Sequence, residues 1–539
     1  MPRRINFLLR RFRGFSFIFL SSVLLVLPFH FGGLWFLAFI AFIPYFFVLT
    51  KQSTGEAFQS SFLFGFLFFA FLGYWLTLVN VLGFILLVAY LALYFAFFGM
   101  VSVYFLKSSQ KSIRPLFFIP AFWVVAEYLR GWIISGLPWA LLGYSQWRNT
   151  VFIQIADITG VWGVSYVVLL INLLIFKLIE PLFAGKPSGQ AKAESGGEQN
   201  RRLAATFGVL VGVIFLVSVY GMLQLSLRDA FYKSPKEKAQ IRVSVIQGNI
   251  PQEQKWDVKI KNIIFEKYKR LTFMSAIEKS DLIVWPETSF PGYLEDEPIM
   301  SAQLRSVIRQ SRTEVLVGAP TMGDMDLGLR FYNSAILFNS AGEEKKRYHK
   351  MHLVPFGEYV PYEPVLGIIR NFVHIGRFSP GEEKTIFETT TRYQKTNIKV
   401  KYGVLICFED IFPGPVRGFC KKGADFMINM TNDAWFGKTA APYQHAAASI
   451  FRAVENRINV VRATNTGYSC FISPEGRILN QVEDNGEPIF VTGHKGQDII
   501  LRKTASFYTR FGDVFMLLVL FLCFLAYKEK TKHTPYSQV

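Results

Sequence analysis

The chain has 539 residues, of which 51% are hydrophobic, 16% are aromatic and only 18% are charged. Soluble globular proteins carry about 25% charged residues, so this composition excludes an ordinary soluble protein and indicates segments embedded in lipid. The formal net charge is +19, but no nucleic-acid-binding motif accompanies it. The basic excess is better explained by residues that flank membrane spans, and no nucleic-acid partner is expected.

Eight apolar stretches approach the length of a membrane helix, which needs about 20 mostly apolar residues. In chain order they cover residues 13–30, 33–49, 57–78, 81–106, 115–134, 160–183, 204–226 and 507–527. The first follows an arginine-rich start without a small-residue cleavage site. We therefore interpret it as a retained membrane helix rather than a signal peptide.

Lysine and arginine are concentrated at the N-terminus, in alternate loops and in the C-terminal tail, as at Arg3, Lys51, Lys107, Arg201 and Lys528. Because positive residues stay on the cytoplasmic side, both termini are predicted to be cytoplasmic. The predicted organisation is seven membrane helices in residues 1–228, an extracytoplasmic domain in 229–506, and an eighth helix with a cytoplasmic tail in 507–539.

Within residues 229–506 the pattern changes to short β-rich runs, with helical stretches between several of them. The runs predicted as strands are 241–247, 281–285, 315–319, 333–338, 402–408, 426–430, 460–463 and 471–473. Residues 404–406 and similar runs are continuously apolar, which is typical of strands covered on both faces. The alternation predicts an α/β domain with a central sheet. The four cysteines form no CxxC pair, so no zinc site is expected. The sequence does not decide whether Cys420 and Cys470 form a disulfide.

Three residues with charged or nucleophilic side chains follow strand-like runs: Glu287, Lys350 and Cys407. Side chains at the strand ends of an α/β sheet converge on a crevice. Glu287 can accept the thiol proton of Cys407, and Lys350 can stabilise the oxyanion that forms when the thiolate attacks an acyl carbonyl. Each residue alone has an ordinary structural explanation, so the hypothesis of an acyl-transfer centre depends on the combination.

The ordered set Trp285-Pro286-Glu287, Lys350 and Cys407-Phe408-Glu409-Asp410 resembles the carbon–nitrogen hydrolase (nitrilase) superfamily. The chain is still more similar to the membrane branch of that superfamily, the apolipoprotein N-acyltransferases. Residues throughout the chain carry this similarity: Glu127, Arg130, 136–139, 143–146, 154–157, 247–256, 352–358, 429–437, His445, 452–457 and 463–467.

The resemblance implies an αββα sandwich, a Glu287–Lys350–Cys407 triad and no cofactor or metal. It implies transfer of an acyl chain from a membrane phospholipid to the α-amino group of the diacylglyceryl-cysteine of an apolipoprotein. This is the last step of lipoprotein maturation, and it would pass through a thioester on Cys407. Glu358 and Glu409 match supporting acids of the family.

Trp256, Trp435, Tyr144 and Asn432 lie in matching segments, and we predict that they line the path of the lipid. For the two tryptophans, covering the sheet is the alternative. Phe408 stands where tyrosine is expected, which bears on the choice of acyl donor. The resemblance also implies a monomer in the bacterial inner membrane, with its catalytic domain facing the periplasm.

An unusually apolar segment, residues 365–373, separates the Lys350 motif from the Cys407 strand. We interpret it as a lid that touches the bilayer, with an amphipathic surface helix as the alternative. Two other functions stay open from the residues: a membrane-anchored amidase that hydrolyses a small amide, and a transporter or scaffold with an inactive domain. Eight spans exceed the needs of an anchor, and few ionisable residues lie within them.

Overall fold

The computed structural model describes residues 2–108, 115–183, 192–232, 238–323, 329–363, 367, 376–501 and 504–532. The chain divides into two compact units. We call Met1–Ser226 with Asp513–Val539 the helical unit, and Leu227–Gly512 the sandwich unit. The hypothesised lid at 365–373 lies outside the described residues except for residue 367. The domain boundaries predicted at residues 228 and 506 stay predictions.

The described residues of the helical unit form eight α-helices. They are α1 (Pro2–His30), α2 (Ile43–Leu49), α3 (Thr54–Leu72), α4 (Val81–Ser108), α5 (Pro115–Arg130), α6 (Ala156–Phe183), α7 (Lys192–Tyr232) and α13 (Phe515–Lys532). Several of its buried polar groups are paired within the helices or across them. The Asn172 side chain, for example, accepts from Phe42 N at 2.9 Å and donates to Ala38 O at 2.8 Å, which satisfies backbone groups where water is scarce.

Six helices among the described residues are long and apolar enough to cross a membrane. The predicted count of eight is therefore not confirmed, and the two exceptions have clear physical reasons. The helix α5 has 16 residues, which spans about 24 Å at about 1.5 Å per residue. Gly512, with φ of 70°, separates α12 (Phe507–Phe511) from α13, whose apolar part is limited to Phe515–Lys528.

The sandwich unit contains two six-stranded sheets, with strand orders β12-β1-β2-β3-β4-β5 and β11-β10-β9-β8-β7-β6. The strands are β1 (Gln240–Gln247), β2 (Leu282–Val284), β3 (Glu314–Met322), β4 (Phe331–Phe338), β5 (Glu344–His349), β6 (Ile386–Tyr393), β7 (Thr396–Ile406), β8 (Phe426–Thr431), β9 (Asn459–Thr464), β10 (Cys470–Ile472), β11 (Ile478–Gln481) and β12 (Gly493–Ile500). The strands β1–β3 and β7–β9 are parallel neighbours, and the other pairs are antiparallel.

Helices cover the sheets and bury their apolar strands. They are α8 (Lys261–Ile277), α9 (Pro298–Ser311), α10 (Pro413–Lys421) and α11 (Ala441–Asn456). One core joins Ile264 of α8 and Leu304 of α9 to Trp285 and Val317 of the first sheet. The predicted fold class, a helical membrane region plus a two-sheet α/β domain, is confirmed.

Candidate active site

Cys407 lies where β7 ends and the chain turns sharply. Its φ is 54°, a left-handed conformation that few non-glycine residues adopt. A 3-10 turn, Cys407–Ile411, follows directly, and Asn429 Nδ2 donates to Cys407 O at 3.2 Å. Backbone strain of this kind persists where the surroundings enforce it, and it is concentrated at functional sites. The sharp turn therefore presents the half-buried thiol at the end of the sheet.

Lys350, which follows β5, has 1% of its surface exposed. Its Nζ lies 3.0 and 2.9 Å from Oε1 and Oε2 of Glu358, and 3.5 Å from Oε1 of Glu287. Burial alone lowers the pKa of Lys350, but the Glu358 and Glu287 carboxylates outweigh burial and raise it. The residue is therefore a permanent ammonium held between two carboxylates.

Asn333 on β4 ties the two carboxylates together, and the sequence analysis did not identify it. Its Nδ2 donates to Oε1 of Glu287 at 2.7 Å and to Oε1 of Glu358 at 3.0 Å. The main-chain carbonyl oxygen of Asn333 accepts from Lys350 N at 2.8 Å. The signal in the sequence was an asparagine at the start of the apolar strand run 333–338. A polar side chain in such a run requires hydrogen-bond partners when the strand is buried.

Glu287 is held by the segment that follows β2. The main-chain N–H groups of Ser289 and Phe290 donate to Gly318 O at 2.8 and 3.0 Å. Thr288 between them has φ of 45°. A Cβ at Gly318 would lie 2.1 Å from Pro286 O, so only glycine allows this approach. Close packing of the neighbouring strand thus fixes the carboxylate at the strand end.

The charges of this cluster act on the Cys407 thiol. Burial and the Glu287 carboxylate raise the pKa of Cys407 well above its usual value, and Lys350 opposes them. Asp433 and Glu358 raise it further. The resting cysteine is consequently a protonated thiol, and its use as a nucleophile requires a base at the moment of reaction.

Glu409, two residues after Cys407, is buried and fully engaged. Its Oε1 accepts from the main-chain N–H groups of Met351 and His352 at 2.7 and 3.0 Å. Its Oε2 accepts from Ile406 N at 2.7 Å. Burial raises the pKa of Glu409 despite these hydrogen bonds. The carboxylate thus joins the chain just after Lys350 to the chain just before Cys407.

A buried charge network lies behind the nucleophile turn, and sequence reasoning missed it. His445 on α11 bonds Asp433 Oδ1 through Nδ1 and Asp410 Oδ1 through Nε2, each at 2.9 Å. Arg462 Nη1 donates to Asp410 Oδ2 at 2.7 Å, and Ser449 also donates to this oxygen. Burial lowers the pKa of His445, but the two aspartates outweigh it and raise the pKa to about 9. His445 is therefore an imidazolium at neutral pH.

The four predicted lipid-path residues differ in their surroundings. Trp256 and Trp435 are 48% and 52% exposed, so about half of each side chain is open to solvent. Asn432 is buried, with Nδ2 2.8 Å from Gln252 Oε1. Tyr144 belongs to the helical unit and is buried there. Phe408, the departure from the family pattern, packs on Phe412 with ring centroids 5.3 Å apart.

Cys420 and Cys470, which the sequence left open as a disulfide pair, are free cysteines. Burial raises the pKa of each thiol to about 12. Among the described residues no carboxylate acts on either thiol, whereas Glu287 acts on the thiol of Cys407, so Cys407 is the cysteine with a candidate base.

A two-sheet α/β domain with a strand-end cysteine beside a buried lysine and two carboxylates defines a cysteine enzyme of the carbon–nitrogen hydrolase class. Residues 242–493 match the model of that family, Carbon-nitrogen hydrolase. Residues 21–174 match the model of the apolipoprotein N-acyltransferase N-terminal domain. The chain belongs to the apolipoprotein N-acyltransferase family, as the following relatives show.

The chain is 36% identical to an apolipoprotein N-acyltransferase of Geobacter metallireducens, over 97% of this chain and 96% of the relative. It is 31% identical to that of Haemophilus influenzae, over 86% and 85% of the two chains. A solved amidase of Nesterenkonia sp. matches with a TM-score of 0.36 and 19% identity, over 50% of this chain and 92% of that one.

The protein is therefore a bacterial inner-membrane enzyme and an N-acyltransferase. The family predicted from the Glu287, Lys350 and Cys407 motifs is confirmed. Membership favours acyl transfer over hydrolysis of a small amide. It also favours an active enzyme over a transporter or scaffold.

Proposed function

We propose that the protein transfers an acyl chain from a membrane phospholipid to the α-amino group of the diacylglyceryl-cysteine of an apolipoprotein, through a thioester on Cys407. The observation that carries the proposal is the buried cluster of Lys350, Glu287 and Glu358 acting on the thiol of Cys407. It supplies a base, a fixed cation and a nucleophile in a chain whose described residues include six potential membrane spans.

In the first half-reaction Glu287 accepts the proton of the Cys407 thiol, and the thiolate attacks the ester carbonyl of the phospholipid. The tetrahedral oxyanion is stabilised by the Lys350 ammonium. The carbon–oxygen bond then breaks, and the leaving oxygen takes the proton from Glu287. The products are a lysophospholipid and the Cys407 thioester.

In the second half-reaction the α-amino group of the acceptor attacks the thioester carbonyl, and Glu287 takes one of its protons. Lys350 stabilises the second oxyanion. The carbon–sulfur bond breaks, an amide forms, and the Cys407 thiolate recovers the proton from Glu287. The two half-reactions share one site, so the kinetics are ping-pong.

Glu358 and Asn333 position this machinery. Glu358 holds the Lys350 ammonium, and its Oε2 also accepts from Val354 N at 2.8 Å, which anchors the carboxylate to the main chain. Asn333 keeps Oε1 of Glu287 and Oε1 of Glu358 at a fixed separation through one nitrogen. Glu409 fixes the backbone on both sides of the site.

The sandwich unit faces the periplasm, and both termini are cytoplasmic. The basic loops support this orientation, since lysine and arginine are retained on the cytoplasmic side. The enzyme acts as a monomer. Trp256 and Trp435 contact the lipid chains, which their exposure supports. Asn432 in the sandwich unit and Tyr144 in the helical unit are each proposed to contact lipid.

The test is the intact mass of the protein after incubation with phospholipid vesicles. A hydroxylamine-labile adduct of acyl mass on Cys407 is expected, and it should be absent in Cys407→Ala and in Glu287→Gln. Addition of a diacylated lipopeptide should then discharge the adduct and yield a triacylated peptide. Release of acid from a small amide without any triacylated peptide would support the amidase instead.

A further inference from the structure

Lys255 is a second buried lysine beside the candidate reaction centre. It is 4% exposed and follows the 3-10 turn Gln252–Gln254. Its Nζ donates to the main-chain carbonyl oxygen of Glu287 at 3.0 Å. An ammonium has three N–H donors, and among the described residues this carbonyl is the only hydrogen-bond acceptor of Lys255 Nζ.

The two lysines differ in their charge partners. Lys350 has carboxylate oxygens of Glu358 and Glu287 within 4 Å, so its charge is largely compensated in the resting site. No carboxylate of the described residues lies within 4 Å of Lys255 Nζ. An uncompensated buried cation is costly, and in an active site such a group is a candidate for interaction with negative charge that develops during the reaction.

Lys255 interacts electrostatically with Glu287 and with Cys407. Burial lowers the pKa of Lys255 to about 8, although Glu287 and Cys407 oppose this. The other charged groups that act on Cys407 are Lys350, Asp433 and Glu358. The pKa of Lys255 is therefore close to physiological pH, so its charge is lost on mild alkalinisation.

We propose that Lys255 is a positioning residue for the acyl transfer: its ammonium holds the main chain at Glu287 and supplies uncompensated positive charge that favours the Cys407 thiolate. This role deepens the proposed function and rests on it. The carbonyl contact matters because Thr288, the next residue, has φ of 45°, so the segment that aims the Glu287 carboxylate needs an external hold.

The first measurement needs no substrate and so is independent of the proposed function. The rate of Cys407 alkylation by iodoacetamide is followed by peptide mass from pH 6 to pH 10 in the full-length protein. Lys255→Met is expected to lower this rate at pH 7.5 about tenfold, which corresponds to a thiol pKa higher by about one unit. Lys255→Arg, which keeps the charge, should stay close to the parent protein.

The second measurement is the single-turnover rate of thioester formation with phospholipid. In the parent protein the rate should decline above about pH 8, as Lys255 loses its proton. In Lys255→Arg this decline should move above pH 9, because arginine stays charged. Lys255→Met should be about 10- to 100-fold slower. A mere loss of packing would lower the melting temperature but would not change the pH at which the rate of thioester formation declines.

Lys259→Met is the matched control, since Lys259 lies on the same segment and is exposed. It should match the parent protein in both measurements. Parental alkylation rates in a folded Lys255→Met protein would overturn the proposal, as would an alkaline limb that is the same in Lys255→Arg and the parent. Absence of any thioester in the parent protein would refute the proposed function, while the alkylation result would still decide the role of Lys255.

Discussion

The Tyr348 hydroxyl lies 2.8 and 2.9 Å from the two carboxylate oxygens of Glu409, to which it donates. Tyr348 belongs to β5 of one sheet, and Glu409 follows β7 of the other. Because the same carboxylate binds the main chain beside Lys350 and beside Cys407, one side chain sets the separation of the candidate cation and nucleophile. A buried carboxylate with this many donors cannot be replaced by a neutral group without leaving N–H groups unpaired.

Glu409→Gln should therefore reduce thioester formation about 10²-fold or more and lower the melting temperature, because one carboxylate oxygen becomes an amide nitrogen facing N–H donors. Tyr348→Phe removes a single donor and should cost less than tenfold. The two rates are measured by rapid quench with phospholipid. A Glu409→Gln protein as fast as Tyr348→Phe would show that the carboxylate does not set the geometry.

Asn333→Asp should nearly abolish activity, because it replaces the donor between Glu287 and Glu358 with a third negative charge. Asn397→Asp on β7, an exposed position, is the control and should behave as the parent protein. Parental activity of Asn333→Asp at pH 8 would refute the bridging role.

His445 predicts a loss of stability at alkaline pH. Its pKa in the folded protein is about 9, above the usual value near 6.5, because Asp410 and Asp433 outweigh burial. Because the pKa of His445 is raised on folding, its protonated ring stabilises the fold fully below about pH 6.5. This stabilisation is lost as the pH rises through about 9. The effect amounts to at most about 3 kcal/mol. The melting temperature should fall between pH 7 and pH 10, and fall less in His445→Gln. Equal falls in both proteins would contradict the assignment.

Trp256→Ala and Trp435→Ala should each raise the KM for phospholipid several-fold and leave the melting temperature unchanged. Both side chains are about half exposed, so their removal creates no cavity. Leu479→Ala, which truncates an exposed apolar residue of β11, should change neither quantity. A fall in kcat without a change in KM would place the tryptophans outside the lipid path.

The strands of the sandwich unit were predictable in proportion to their burial. Runs such as β2 and β8 are apolar throughout and were identified from the sequence. The four strands that were missed, β5, β6, β11 and β12, are the four edges of the two sheets. Edge strands carry polar residues that discourage pairing between molecules. The sequence Glu-Lys-Lys-Arg-Tyr-His of β5 accordingly has no apolar pattern.

The site was predictable only in part, for a different physical reason. Glu287, Lys350 and Cys407 could be proposed because each follows a strand and each has a recognisable chemistry. Asn333, Lys255 and His445 act through partners that are distant in sequence. Asn333 Nδ2, for example, reaches Glu287 across 46 positions. Nothing in a single sequence shows that such residues meet.

In the sequence the sandwich unit separates the last helix of the helical unit from the others, and this order has a consequence for biosynthesis. The last helix, α13, closes onto α6: Trp162 Nε1 donates to Asp513 Oδ1 at 2.9 Å, and the rings of Tyr166 and Phe515 are 6.1 Å apart. At roughly 5–20 residues per second, translation of Leu227–Gly512 takes about 15 to 60 s. The surface of α6 that receives α13 stays uncovered throughout this interval, so nascent chains should require an insertase or a chaperone at this stage, and ribosome stalling within the inserted segment should leave the helical unit sensitive to membrane proteases.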